Sequence, residues 1–579
     1  MKKKFLYVPF CIVTMILLLI VCTKSSGNFI SSHFDSSNYK DFIIVDVYDE
    51  FANYQGIQGG WFAKVVKDKF NMELNIIAPN VTGNGDTLYQ TRQAAGNLGD
   101  LILINTSNGK FNEIVKAGLV ADCTKLVQNK DIMKNYGDAV IKTNELVEAD
   151  GIYGFPKSIS SQAATEASEG TDPTFGPYIR WDYYKKLGYP EMNNLEDFLD
   201  VLEKMQILAR KEENSNDIYA ISLFKDWDYN MMNNAKQIAC MYGYDEQGFV
   251  LSKANGTNYQ NILSNNSLYI KALKFFNEAN ARGLVDSDSP SQNYDEWIMK
   301  YEAGKVLYGP WPWIGERFNT AENKALGKAF KMAPVKDMKI FSFGCYSEGD
   351  STNIIAIGSR ASDPQRLLDF IDWLYSPEGF YLNGQANGAA GPEGLTWEIG
   401  DDGMPRLTEF GKKALPNNPV DVPEEYGGEK WDLGISALNF KTINQKEIDP
   451  NTGAPYDYLC WESTIKDNRT DIDIDWINKM GADTAMEYLK NNNMLLIAPG
   501  ANYSTPAEST NITTIRERCK SAIIRYSWRM IFAQKNSFNK LLKEMQDTAK
   551  GLGYNYVYKV DLKNAKDQTA ARNVIKNQQ

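Results

Sequence analysis

Two tryptophans separated by one proline, Trp311 and Trp313 in the stretch GPWPWIGE (309–316), carry the clearest chemistry in the chain. Pro310 and Pro312 stiffen the segment, so the indoles have little freedom left to lose on meeting a ligand. A rigid indole offers a flat face on which the C–H side of a sugar ring can pack. The chain also holds 12 Trp, 32 Tyr and 26 Phe in 579 residues, most of which belong to cores by size alone. Its single histidine, His33, removes Ser-His-Asp and Cys-His catalysis, multi-His zinc sites and most general-base chemistry at neutral pH. Carboxylate-pair chemistry survives that exclusion. With 73 acidic residues such pairs occur by chance, and none falls in a recognisable catalytic motif. The net charge of −11 argues against nucleic acid as a partner.

The N-terminus is an address. Lys2, Lys3 and Lys4 precede an apolar run from Phe5 to Cys22, followed by the polar TKSSGN; together they form an export signal. The run ends in LIVC, and a cysteine closing it resembles the lipobox of bacterial lipoproteins, which implies lipidation at Cys22. Val21 stands where that family has a small residue, so an uncleaved anchor stays open; Phe5 to Val21 is at the short end for a spanning helix and contains Pro9. Cys123, Cys240, Cys345, Cys460 and Cys519 are odd in number and widely spaced, which implies buried small hydrophobes rather than a disulfide framework.

The elements that must position the aromatics alternate at first. Strand-like FIIVDVY (42–48), MELNIIAP and GDLILINT (99–106) are separated by helical runs at 61–71 and LYQTRQAAGN. That order predicts a doubly wound α/β domain with ligand-facing loops at 49–60 and 105–109. Beyond GIYGFPKS (151–158) the chain turns mainly helical, with helices expected near 194–211, 231–243, 268–282 and 293–303, then a short strand at 305–311. TNIIAIGS (352–359) reads as a strand, 363–383 as a helix with Pro364 in its first turn, 516–553 as amphipathic helices and YNYVYKVDL as a closing strand. No P-loop, GxGxxG or internal repeat occurs.

Taken in order, the anchored N-terminus, GIYGFP, YIRWDYYKKLGYP…NNLEDFLDVLEKM, AGKVLYGPWPW and FIDWLYSPEGFYLNGQANG resemble the extracellular solute-binding proteins of ABC importers, in the carbohydrate branch and its large lipoprotein subgroup. The resemblance covers about 42 to 560. It implies an α/β two-lobe fold of the periplasmic-binding-protein type II kind, with hinge strands and a ligand cleft that closes. The implied division is 1–22 signal and lipobox, 23–40 linker, 41–155 first part of lobe 1, 156–315 mostly helical first part of lobe 2, and 316–579 the remainder of both lobes with C-terminal helices.

GPWPW is similar to the GPW-x-W segment of maltose-type binding proteins. Trp311 takes the sugar-stacking role by that resemblance, with Trp313 supporting it from behind. Further ligand contacts are expected from Tyr54, Gln55, Asn105, Ser107 and Asn108 in the first lobe. Arg180, Trp227 and Asp228 are expected from the second lobe, and Tyr346, Glu348, Asn387, Trp461 and Glu462 from late loops. For Tyr54, Gln55 and the Asn-rich loop, turn chemistry is an equal reading, and Arg180 fits a structural ion pair as well. Some relatives carry a calcium loop. The matching KEENSNDIYAIS (211–222) lacks its glycines and first Asp, so no metal is expected there. DIDID (471–475) imitates the start of an EF-hand, but Trp476 replaces the required Gly and Ala482 the required Glu, which leaves a solvated strand face.

The resemblance implies a lipid-anchored, monomeric, non-enzymatic protein on the extracellular face of the membrane. It implies no cofactor, an oligosaccharide ligand and an ABC permease as partner. A secreted carbohydrate-active enzyme using a carboxylate pair, and a binding protein for another solute or for a sensor kinase, are the other classes the sequence admits.

Overall fold

The computed structural model describes residues 39–578, apart from 80, 82–84, 384–387, 416–417 and 468. One core is organised by a six-stranded sheet. Its order is Gly56–Ile57, Met72–Ile77, Ile43–Asp49, Leu101–Asn105, Asp350–Ile357, Phe155–Lys157. Ile43–Asp49 is parallel to both its neighbours, and the last two strands run antiparallel. Parallel strands covered on both faces read as continuous apolar runs, as in LILI of 101–104. Val45 and Val47 face the helix Gly60–Phe70, while Tyr48, Ile102 and Ile104 face Phe111 and Ile114. That helix ends at Asn71 in the left-handed region (φ 46°), which turns the chain straight into Met72–Ile77.

The chain then crosses to a second core, built on Tyr178–Arg180 between Tyr308–Gly309 and Phe330–Met332. The expected helices are present as Leu195–Glu212, Asn233–Cys240, Leu268–Ala281 and Tyr294–Glu302. Asn194 and Asn293 cap two of them, the second in a full capping box. After Ile340–Phe343 the chain returns to the first core until Trp461, then crosses again. The second core draws on Phe175 to Phe341 and on Ile472 to Val557. The architecture is an α/β two-lobe fold.

The crossing segments are tightly braided. Ile340–Phe343 is parallel to Leu495–Ala498, and Ile159 bridges both Tyr346 and Ile443. A Cβ on Gly344 would stand 2.1 Å from the Ala164 carbonyl and one on Gly500 2.0 Å from that of Cys345, so glycine is required at both.

Two tail readings change. YNYVYKVDL lies in the helix Tyr554–Gln578, where Tyr554 and Tyr558 stack one turn apart, 6.1 Å between rings. DIDID opens the helix Asp471–Met480: Thr470 and Asp473 form a capping box, and the acids sit in a first turn where the helix dipole favours them.

Candidate functional site

Between the two cores lies a polar cavity of about 360 Å³, a size suited to small ligands. The first core supplies Lys157, Asp350 and Thr352 from the sheet's last two strands. Pairing shifts register between Asp350 and Ile354, and such bulges re-aim side chains. Asp350 accepts from the Thr352 amide (3.0 Å) and hydroxyl (2.6 Å) and lies 3.5 Å from Lys157 Nζ. Tyr346 enters from the crossing segment. Burial, first, and the nearby Asp350 raise its phenol well above the ordinary range, so it stays a neutral donor.

The second core supplies Asp245, Glu246 and Ser252 from the hairpin Tyr244–Gln247 and Val250–Lys253. Asp245 lies 3.2 Å from Lys236 Nζ, and Glu246 accepts from Asn230 Nδ2 at 2.7 Å. Burial raises the Glu246 carboxyl. Ser252 is 2% exposed and its hydroxyl has no hydrogen-bond partner. Gln568 and Arg572 of the C-terminal helix complete the wall. The arrangement presents hydrogen-bond donors and acceptors together with side chains of both charges.

The predicted tryptophans form a separate cluster on the second lobe. Trp311 caps the helix Pro312–Phe318 in an extended conformation, and Pro312 starts the helix with its fixed φ. Trp311 and Trp313 stack at 5.6 Å and 24°, and Trp227 meets Trp311 edgewise at 5.8 Å and Trp313 at a tilt, 5.9 Å away. Tyr294 stacks on Trp227 at 4.9 Å, and Trp297 packs against Trp311 and Trp313 from within. Trp311 is only 5% exposed, Trp313 is half-buried and Trp227 is 44% exposed. The exposed indoles of the cluster are therefore Trp227 and, in part, Trp313, each stacked by one neighbouring ring, while Trp311 is nearly buried.

The other predicted residues scatter. Asp228 accepts from Trp528 Nε1 (2.7 Å) and from the Asn233 amide (2.8 Å), and burial pushes its carboxyl up to about 7. Arg180 is buried in a bidentate pair with Asp182, both contacts 2.8 Å, between the Tyr183 and Phe318 rings; this is the ion-pair reading. Tyr54 donates to the Ile57 carbonyl within its own turn, whereas Gln55 accepts from the Ala78 amide at the end of the neighbouring strand.

Asn105 lies 2.9 Å from the Asn353 amide and accepts from the Ser107 amide. The Asn108 amide donates to Thr505 Oγ1, because the segment after Leu495–Ala498 lies across this loop: Ser504 donates to the Thr106 carbonyl, and Gly109 to that of Thr505. Glu348 accepts from Asn502 through its carbonyl. Trp461 is 1% exposed in the first core and donates to the Pro455 carbonyl, while Glu462 is an exposed partner of Lys466. Asn387 and Cys22 lie outside the described residues. Among those described, no group of three or more His, Cys, Asp or Glu is placed to hold a metal ion, and no helix is long and apolar enough to cross a membrane.

Of the predicted set, Tyr346 lines the cavity. Sequence reasoning missed Lys157, although it sits in the quoted GIYGFPKS, and missed Gln568 and Arg572 because a strand was expected at the start of their helix.

No protein-family model and no curated protein matches the chain. Solved structures do. The S. pneumoniae ABC-transporter substrate-binding protein FusA in complex with kestose is 14% identical with a TM-score of 0.57, over 91% of this chain and 99% of that one. The alginate-binding protein AlgQ2 is 15% identical with a TM-score of 0.56, over 92% and 98%. A solute-binding protein described as binding HMO, from Bifidobacterium longum infantis, is 13% identical with a TM-score of 0.52, over 91% and 99%. At such identity the likeness concerns architecture: the chain has the two-lobe fold of ABC-transporter substrate-binding proteins.

Proposed function

We propose that the chain is an extracellular solute-binding protein that captures an oligosaccharide between its lobes and delivers it to an ABC permease, without turning it over. The observation that carries this is the polar cavity walled by both lobes and by the segments that cross between them. A ligand there touches both lobes at once, so its binding energy favours the closed arrangement, which a permease can read. Carboxylates, amide groups and the Tyr346 phenol match sugar hydroxyls, and Trp227 with Trp313 offers a stacking face outside the cavity. FusA, whose structure holds kestose, and the alginate-binding protein AlgQ2 share this architecture and support the ligand class.

The protein works as a monomer tethered through a lipid on Cys22 or, alternatively, through an uncleaved N-terminal anchor. Mass spectrometry of the native protein separates the two: an acyl group on Cys22 as first residue supports the lipoprotein, and an intact Met1 excludes it. The binding reading is tested by calorimetry of the full-length chain against an oligosaccharide panel. Dissociation constants on the order of micromolar with unchanged sugars are expected. Release of shorter products would overturn it in favour of a carbohydrate-active enzyme.

A further inference from the structure

The buried stripe of the C-terminal helix breaks the rule for such stripes. Spacings of three and four residues place Asp561, Ala565, Gln568, Arg572 and Ile575 on one face of Tyr554–Gln578. Ala565 and Ile575 are buried, as core positions should be. Asp561 is buried too, but it is neutralised by Arg516 and accepts from the Phe249 amide at 2.7 Å. Tyr259 adds a bond to Thr569 Oγ1 at 2.7 Å. The helix is thus pinned to the hairpin beside the cavity, and the pinning drives Gln568 and Arg572 into the cavity wall.

Arg572 makes no hydrogen bond or ion pair among the described residues, although Asp245 and Tyr346 are its electrostatic neighbours. A half-buried guanidinium without a partner is costly unless a ligand supplies one. The carboxylates of the cavity do not fill that place, since each has donors of its own: Thr352 and Lys157 for Asp350, Lys236 for Asp245, Asn230 for Glu246. Independently, the Ser252 hydroxyl is buried in the same wall without a partner. Arg572 and Ser252 are therefore two donors of the cavity wall that the protein itself leaves without a partner.

We propose that the cavity binds the anionic substituent of an acidic oligosaccharide, a carboxylate, sulfate or phosphate ester, on Arg572, with Ser252 and Gln568 as further donors. The proposal rests on the carbohydrate-binding reading and sharpens it. A planar guanidinium matches these anions with two parallel hydrogen bonds, which a neutral hydroxyl cannot accept. The last helix is then part of the ligand site, and Arg572 sets its specificity.

The test is a glycan array probed with the full-length chain and carrying neutral, uronate-bearing, sulfated and phosphorylated oligosaccharides. Calorimetry then compares the best acidic hit with its carboxyl-reduced, desulfated or dephosphorylated counterpart. Acidic hits are expected, with the neutral counterpart about tenfold or more weaker. Arg572→Gln should erase that preference and Arg572→Lys keep part of it. Neither variant should unfold below the wild-type temperature, because no internal pair is broken, and loss of the unpartnered charge in Arg572→Gln favours the fold. Hits confined to neutral glycans, or an acidic preference untouched by Arg572→Gln, would overturn the proposal and leave sugar capture standing. Absence of any glycan hit would remove both.

Discussion

The aromatic cluster and the interlobe cavity are opposite kinds of construction. The cluster is local, drawn from Phe224 to Trp313, and its rings satisfy one another. The cavity is assembled from residues between Lys157 and Arg572, is polar, and leaves Ser252 and Arg572 without partners. One arrangement contributes stability with or without a ligand. The other retains unspent hydrogen-bonding capacity, which a fold tolerates where something is bound.

Replacing Trp311 tests that contrast most strongly. Trp311→Ala should cost about 3–5 kcal/mol of stability in denaturant unfolding, because a nearly buried ring leaves a void. The same change at the 44% exposed Trp227 should cost under about 1 kcal/mol. Equal costs would dissolve the distinction between a packed ring and an open one.

Titration gives the next effect. Burial holds the carboxyls of Asp49 and Asp228 at about 7 in the folded chain, against an ordinary 3.8. The folded state then binds more protons than the unfolded one between those values, so their contribution is full at low pH and is lost as pH rises through 7. Stability should fall by about 2–3 kcal/mol for each group between pH 5 and 8. Asp228→Asn should remove about half of that decline, and an unchanged slope would mean that Asp228 is ionised throughout.

Legibility follows the same division. The β-α-β-α-β opening was readable because apolar runs of parallel strands cannot hide, and the helices expected near 194 and 293 do begin there, at the caps Asn194 and Asn293 that the structure adds. YNYVYKVDL misled because its aromatic alternation fits a strand as well as a helix until its packing partners are known; one such partner is Phe249, which stacks on Tyr554. The tryptophans were found by a local motif, yet which rings stay exposed depended on Tyr294 and Trp297, outside that motif. The cavity had no motif, since its walls come from segments hundreds of residues apart.

Tyr346 is where sequence and structure meet, and its loss should act on binding alone. Tyr346→Ala should weaken binding of the best glycan about tenfold or more, with the unfolding midpoint nearly unchanged, since the braid around it is held by backbone bonds to Ser160 and Gly349. A large stability loss with unaltered affinity would make it a structural residue instead.

The smallest effect is expected at Glu462, which the sequence offered together with Trp461. The two neighbours have opposite surroundings. Trp461 is locked beside Trp397 in the first core, and Glu462 faces solvent in an i,i+4 pair with Lys466. Such exposed helix pairs contribute little to stability and are screened by salt. Glu462→Ala should therefore barely shift stability and leave glycan affinity as it was. A tenfold loss of affinity would mean that the binding surface extends beyond the cavity to this face, and the contrast between a local cluster and a dispersed site would need redrawing around it.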